Sequence, residues 1–362
     1  MAELSDRMRE RVQPHLRGIE PYDPNFTPTK INLSANENTY PLPSGVRERV
    51  DAALAATTLN RYPDPMSNSL RDELARRHGV ARENICVGNG GDELLFNLLF
   101  AFGGCGRTML TCTPAFSEYQ FFADLTQTSV LDIPRDPVTF EVDAARVLAA
   151  APSCDVVVLT SPNNPTGNLI DPALTREVCR VCPGVVLLDE AYMEFADASA
   201  SALGLLDECS NLVVLRTLSK AFGAAGVRCG YVVAASDIID AFAAIRQIYS
   251  VNVLTQAAAL EMVKQRERFS STVATICSER DRMYATLSED PRVTVWSSAA
   301  NFLLVRMANA STVRRRLRDE FSILVRDFSA AAGLEGCLRI TVGTPQENDA
   351  VLAALDSLLR EE

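Results

Sequence analysis

The sequence predicts an α/β fold with a mainly parallel central sheet flanked by helices, followed by a smaller α+β unit. Three observations lead there. From about 46 to 250, short apolar runs alternate with helical periodicities. The runs at 155–160, 185–189 and 212–216 are nearly continuous, as suits strands buried on both faces. After about 252 the order changes to a long helical stretch, then short strands interleaved with helices.

Size and composition set the frame. A chain of 362 residues suggests two domains, or one with a large insertion, at about 150 residues per domain. With 47% hydrophobic and 22% charged residues the composition is that of an ordinary globular protein. Such a chain buries a sizeable core without staples. No stretch reaches the ~18 consecutive apolar residues of a membrane span. Residues 1–20 are charged at short intervals and lack the apolar core of a signal peptide, so a cytoplasmic protein is expected. The net charge of −11 argues against nucleic acid as a partner. The one dense basic cluster, Arg314-Arg315-Arg316, reads as a solvated helix face.

The elements follow in order. Residues 1–45 are polar and proline-rich (Pro21, Pro24, Pro28, Pro41, Pro43) and read as an arm with little helix of its own. Strands are expected at 107–112, 129–133, 155–160, 185–189, 212–216 and 229–234. Helices are expected near 69–78, 91–102, 117–126, 171–181 and 237–247. A long helix should run from about 252 to 288. Beyond it, strands at 292–295, 301–306, 323–326 and 337–342 should alternate with helices near 310–320 and 345–359. The division is then an arm at 1–45, a large unit at 46–250, and a connecting helix with a small unit at 251–362.

Cysteine and histidine usage narrows the chemistry. The ten cysteines are scattered, several inside apolar runs such as Ile85-Cys86-Val87, which fits reduced buried thiols. Cys179 and Cys182 have C-x-x-C spacing, but no second pair with zinc-site spacing follows, and no metal is expected. The two histidines, His15 and His78, sit in arginine-rich stretches and read as surface residues. Mechanisms built on histidine are correspondingly weak.

Three apolar strands run into polar clusters: 156–160 into Ser161-Pro162-Asn163-Asn164-Pro165-Thr166-Gly167, 185–188 into Asp189-Glu190-Ala191-Tyr192, and 212–215 into Arg216-Thr217-Leu218-Ser219-Lys220. Ligands of open α/β sheets bind outside the carboxyl ends of the strands. Asn164, Asp189, Tyr192, Ser219 and Lys220 should therefore share one crevice, although each alone could be an ordinary loop residue. Lys220 stands out because the chain has 32 arginines and three lysines. A lysine amine can form a Schiff base, and a guanidinium cannot. Lys30 and Lys264 read as surface lysines.

The motifs S-P-N-N-P-T-G, D-E-A-Y, R-T-L-S-K-A-F and G-V-R-C-G resemble the fold-type I, aspartate-aminotransferase-like enzymes of the class I/II aminotransferase family, which use pyridoxal 5'-phosphate. L-N-R-Y-P at 59–63, G-N-G-G-D-E at 88–93 and G-C-L-R-I-T-V-G at 336–343 narrow the resemblance to the histidinol-phosphate aminotransferases. It extends from Pro21-Tyr22 to Arg339. It implies that Lys220 holds the cofactor covalently and moves the substrate proton. Asp189 would keep the pyridine nitrogen protonated, Asn164 and Tyr192 would bond the ring 3′-oxygen, and Phe116 would stack on the ring. The plainer alternative for Phe116 is a core residue.

The phosphate would sit at the helix start formed by Gly91, Asp92 and Glu93, where backbone N–H groups face an anion. Ser219 and Arg228 would add a hydroxyl and a guanidinium, and Tyr62 would reach in from the neighbouring subunit of a homodimer. On the substrate side the resemblance assigns Arg339 to the carboxylate of glutamate and also to the phosphate of the second substrate, and Arg326 and Tyr22 to that phosphate. It also places the arm beside the small domain and the substrate pocket. Residues 34–41 read S-A-N-E-N-T-Y-P where relatives tend to have N-E-N-P-Y. The implied reaction is L-histidinol phosphate plus 2-oxoglutarate giving imidazole-acetol phosphate plus glutamate, a step of histidine biosynthesis. The rivals are a lyase resembling threonine-phosphate decarboxylase, an aromatic or general amino-acid aminotransferase, and a non-catalytic cofactor-binding module.

Overall fold

The computed structural model describes residues 6–19 and 27–361. Among them the strands are β1 (Ile31–Leu33), β2 (Ile85–Gly88), β3 (Thr108–Thr111), β4 (Ser129–Asp132), β5 (Val156–Thr160), β6 (Val185–Asp189), β7 (Leu212–Thr217), β8 (Gly230–Ala234), β9 (Val293–Val295), β10 (Phe302–Met307), β11 (Ile323–Asp327) and β12 (Cys337–Thr341). Seven form one sheet, in the order β2-β8-β7-β6-β5-β3-β4. Strands β7, β6, β5, β3 and β4 pair in parallel, and β8 runs antiparallel to β7 and β2. The other five form a second sheet, β1-β11-β12-β10-β9, in which only β1 and β11 are parallel.

The helices are α1 (Asp6–Arg9), α2 (Ser44–Ala55), α3 (Asn68–His78), α4 (Gly91–Phe102), α5 (Glu118–Thr126), α6 (Ala144–Ala150), α7 (Pro172–Val181), α8 (Ser236–Ile245), α9 (Val253–Lys264), α10 (Ser270–Ser288), α11 (Ala310–Phe321) and α12 (Pro345–Arg360). They explain why the central strands are apolar throughout. Val156 and Val158 pack on one face with Leu94, Phe122 and Phe242 of α4, α5 and α8. Val157 and Leu159 pack on the other with Val147 and Val178 of α6 and α7. Strand side chains alternate between faces, so two covered faces demand two apolar sets. Helix starts carry their own signals. Asp171 accepts the Ala173 N–H at 2.8 Å just before Pro172, and Thr344 with Glu347 forms a capping box around Pro345.

All ten strands expected from the sequence are present. The structure adds β1 and β2, of three and four residues, and helices α1, α2 and α6. Short strands leave little periodicity to read. The expected continuous helix to 288 is instead two helices, α9 and α10, separated by a 3₁₀ turn at Arg266–Phe269. At that turn Phe269 enters the core against Phe222, ring centroids 5.1 Å apart, so tertiary packing overrides local propensity. His78 is not a free surface residue. Its Nε2 lies 3.0 Å from the Tyr231 hydroxyl, and burial, with Arg216 nearby, pushes its pKa down to about 4.

Candidate active site

A cavity of about 660 Å³ opens where the carboxyl ends of β5, β6 and β7 face the segment after β1 and the strands β11 and β12. Its size is within the usual range for a small-molecule site. Asn164, Asp189, Tyr192, Ser219 and Lys220 all line it. In-register parallel pairing places them together: Thr160 lies beside Asp189, and Asp189 beside Leu215. The Lys220 Nζ donates to the Ala35 carbonyl at 3.0 Å and lies 5.8 Å from the Tyr192 ring centroid.

Asp189 is 5% exposed. Burial pushes its pKa up to about 6. Two donors work against that desolvation: the Tyr119 hydroxyl at 2.7 Å from Oδ2 and the Ala191 N–H at 3.0 Å from Oδ1. The neighbouring Glu190 is fully buried and turns away to pair with Arg216 at 2.6 Å. Arg216 also pairs with Glu194 at 2.8 Å, which ties the turn after β6 to β7.

Gly90 and Gly91 open α4 against β8. A Cβ on Gly230 would come 2.7 Å from the backbone of both residues, so glycine permits this close approach. Asp92 is expected from the sequence to contribute only its backbone N–H. Its carboxylate holds Arg228 Nη2 at 2.8 Å and aims that guanidinium at the helix mouth. Ser219, Arg228, Gly91 and Asp92 thus converge on one end of the cavity. Glu93 does not line it; its carboxylate turns back to accept the Asn89 N–H, leaving only its backbone near the helix start. Phe116 lines the cavity and meets Tyr119 edge-on at 5.6 Å.

The opposite wall comes from the small sheet. Arg326 on β11 and Arg339 on β12 are cross-strand partners, and both line the cavity. Arg339 is buried, donating to Asn164 Oδ1 at 2.5 Å and to the Ser34 carbonyl at 2.6 Å. The first bond points the Asn164 amide nitrogen away from the guanidinium. Tyr62 lies outside the cavity, 81% exposed and stacked on Tyr249 at 4.6 Å. Tyr22 falls outside the described residues.

Two contributors escape a reading of the sequence. Asn36, in left-handed backbone at φ 54°, donates to the Tyr192 hydroxyl at 2.9 Å. It is held by Thr341 of β12 and by Asn301. Tyr119 is the other, hidden because an aromatic at the start of an amphipathic helix reads as core. The N-E-N stretch carried a usable signal for Asn36.

The donor set fits pyridoxal phosphate. A buried carboxylate, an amine and an aromatic ring line one cavity, which also offers helix N–H groups, a hydroxyl and a guanidinium to an anion.

Comparison with known proteins agrees with this geometry. Residues 28–355 match the family model for aminotransferase class I and II. The histidinol-phosphate aminotransferase of Thermoanaerobacter pseudethanolicus is 35% identical over 96% of this chain and 98% of its own length. A Sinorhizobium meliloti histidinol-phosphate aminotransferase, solved in complex with pyridoxal-5'-phosphate, superposes with a TM-score of 0.88 at 24% identity, covering 97% of this chain and 98% of that one. The L-threonine-O-3-phosphate decarboxylase of Porphyromonas gingivalis superposes at 0.80 and 26% identity, covering 91% and 99%. The chain belongs to the class I and II aminotransferases.

Proposed function

We propose that this chain is a pyridoxal-phosphate-dependent transaminase that converts L-histidinol phosphate and 2-oxoglutarate into imidazole-acetol phosphate and L-glutamate, in histidine biosynthesis. The observation that carries the substrate assignment is the pair Arg326 and Arg339, in register on neighbouring strands and both facing the cavity that holds Lys220 and Asp189. Two guanidiniums on one wall suit a phosphate in one half-reaction and a carboxylate in the other. Near-full-length identity of 35% to a relative named for this activity supports it.

Pyridoxal phosphate, when bound, supplies a conjugated ring that accepts the electrons left when the substrate Cα–H bond breaks. Lys220 anchors it and carries the proton from the substrate Cα. Asp189, as carboxylate, holds the proton on the ring nitrogen. Tyr192 and Asn164 bond the ring oxygen, each pre-oriented from the other wall by Asn36 and Arg339. Phe116 covers a ring face. Gly91, Asp92 and Glu93 through the helix start, with Ser219 and Arg228, take the phosphate.

The protein works as a cytoplasmic homodimer with shared sites. Support for a dimer comes from the exposed aromatic pair Tyr62 and Tyr249 beside Ile248, itself 81% exposed, which leaves an apolar patch outside the cavity. Ten unpaired cysteines suit a reducing compartment.

The test is an incubation of the holoenzyme with histidinol phosphate and 2-oxoglutarate. Glutamate should form. The lyase reading is kept alive by the decarboxylase fold relative. Release of carbon dioxide from threonine phosphate, with no glutamate in the first assay, would replace the transaminase by a lyase.

A further inference from the structure

We propose that Tyr119 is a positioning residue that sets the plane and the charge of Asp189, and through it the protonation of the ring nitrogen. The inference rests on the cofactor reading above. Tyr119 stands in the first turn of α5, three residues after Phe116, and is 2% exposed. Its oxygen lies 2.7 Å from Asp189 Oδ2 and 2.7 Å from Thr160 Oγ1. A phenol has one proton. Asp189 as carboxylate can only accept, so that proton goes to Oδ2 and Thr160 donates to the phenol oxygen. The result is a directed chain from Thr160 on β5, through α5, to the end of β6.

Its geometry accounts for both carboxylate oxygens. Ala191 N–H occupies one lone pair of Oδ1 and Tyr119 one of Oδ2. The carboxylate plane is thereby fixed from two separate elements, leaving one lone-pair direction on each oxygen for the cavity. Burial drives Asp189 toward its neutral form, and the phenol is its largest opposing influence. Burial, with Asp189 beside it, also holds the phenol well above its usual titration range, so it stays a donor at any physiological pH.

Loss of the phenol proton leaves Oδ2 without its charge-assisted partner. The test uses Tyr119→Phe, which keeps the ring and removes the hydroxyl, with Thr160→Val as a milder second variant in case the first folds poorly. Apoproteins are titrated with pyridoxal phosphate and with its carbon analogue, in which the ring nitrogen is replaced by C–H. Tyr119→Phe should bind pyridoxal phosphate about ten- to a hundredfold more weakly than wild type. The carbon analogue, which asks nothing of Asp189, should bind both proteins alike. The pH at which the bound cofactor's visible band changes should shift in Tyr119→Phe, and by less in Thr160→Val. Equal weakening for both cofactors, or unchanged binding of both, would overturn the proposal. Failure of wild type to bind pyridoxal phosphate would instead remove the cofactor reading on which it rests.

Discussion

The two walls of the cavity are built differently. One comes from the ends of β5, β6 and β7, where Asp189 closes its buried strand and Asn164, Tyr192, Ser219 and Lys220 lie within four residues of theirs. Parallel in-register pairing brings those ends level. The other comes from β11, β12 and the segment after β1, joined across nearly the whole chain: Ile31 pairs with Ile323, and Asn36 bonds Thr341. The first wall places chemistry by strand register, the second by long-range assembly. Lys220 and Asp189, the groups the proposed chemistry needs, sit on the first, and Asn36, Arg326 and Arg339 sit on the second.

The sharpest way to separate the walls is to remove Lys220. Lys220→Ala should lower turnover by ~10⁴-fold, the upper end of the scale of a lost acid–base group, while the protein still binds the cofactor. In wild type, borohydride reduction followed by peptide mapping should place the cofactor on Lys220. Label on Lys30 or Lys264 would undo the assignment.

A second break targets the frame of the same wall. Glu190→Ala leaves Arg216 buried with only Glu194 as an ionic partner. Removing one member of a buried pair costs about 3–5 kcal/mol, which urea denaturation would read as a lowered midpoint. A midpoint equal to wild type would mean that the turn after β6 holds without the pair.

On the second wall, Arg326→Ala should weaken kcat/KM for histidinol phosphate about ten- to a hundredfold, the worth of one charge-assisted contact. Arg339→Ala should harm both half-reactions, since it also orients Asn164. Single-turnover rates with each substrate distinguish the two. Equal harm to both half-reactions by Arg326→Ala would point to a general amino-acid aminotransferase.

Acid should test the packing behind the first wall. The pKa of His78 is depressed from 6.5 to about 4, so the fold disfavours its charged form. Stability is then fully present above about pH 6.5 and is lost as pH falls toward 4, by about 2 kcal/mol at pH 5. His78→Gln, which can still bond Tyr231, should flatten the stability profile over that window. An unchanged profile would assign the acid sensitivity elsewhere. The smallest effect is expected for Asn36→Ala, about fivefold in turnover with little change in denaturation midpoint, because a neutral hydrogen bond is worth about 1 kcal/mol. A large fall in midpoint would make Asn36 a structural tie between the sheets rather than an orienter of Tyr192.

What the sequence determined alone was everything carried by local pattern. Continuous apolar runs located β5, β6 and β7, and the polar residues that follow each run placed Asn164, Asp189, Tyr192, Ser219 and Lys220 at one crevice. A rare lysine in an arginine-rich chain singled out Lys220. Arg326 and Arg339 were legible only through resemblance, since a charge after a short strand has no local mark of function. Tertiary structure alone decided the rest. It turned the Asp92 carboxylate onto Arg228, aimed Tyr119 at Asp189, broke the long helix so that Phe269 meets Phe222, and put Asn36 against Tyr192. The physical reason is the same in each case. Periodicity records which face of an element is buried, but not which distant side chain will be buried against it.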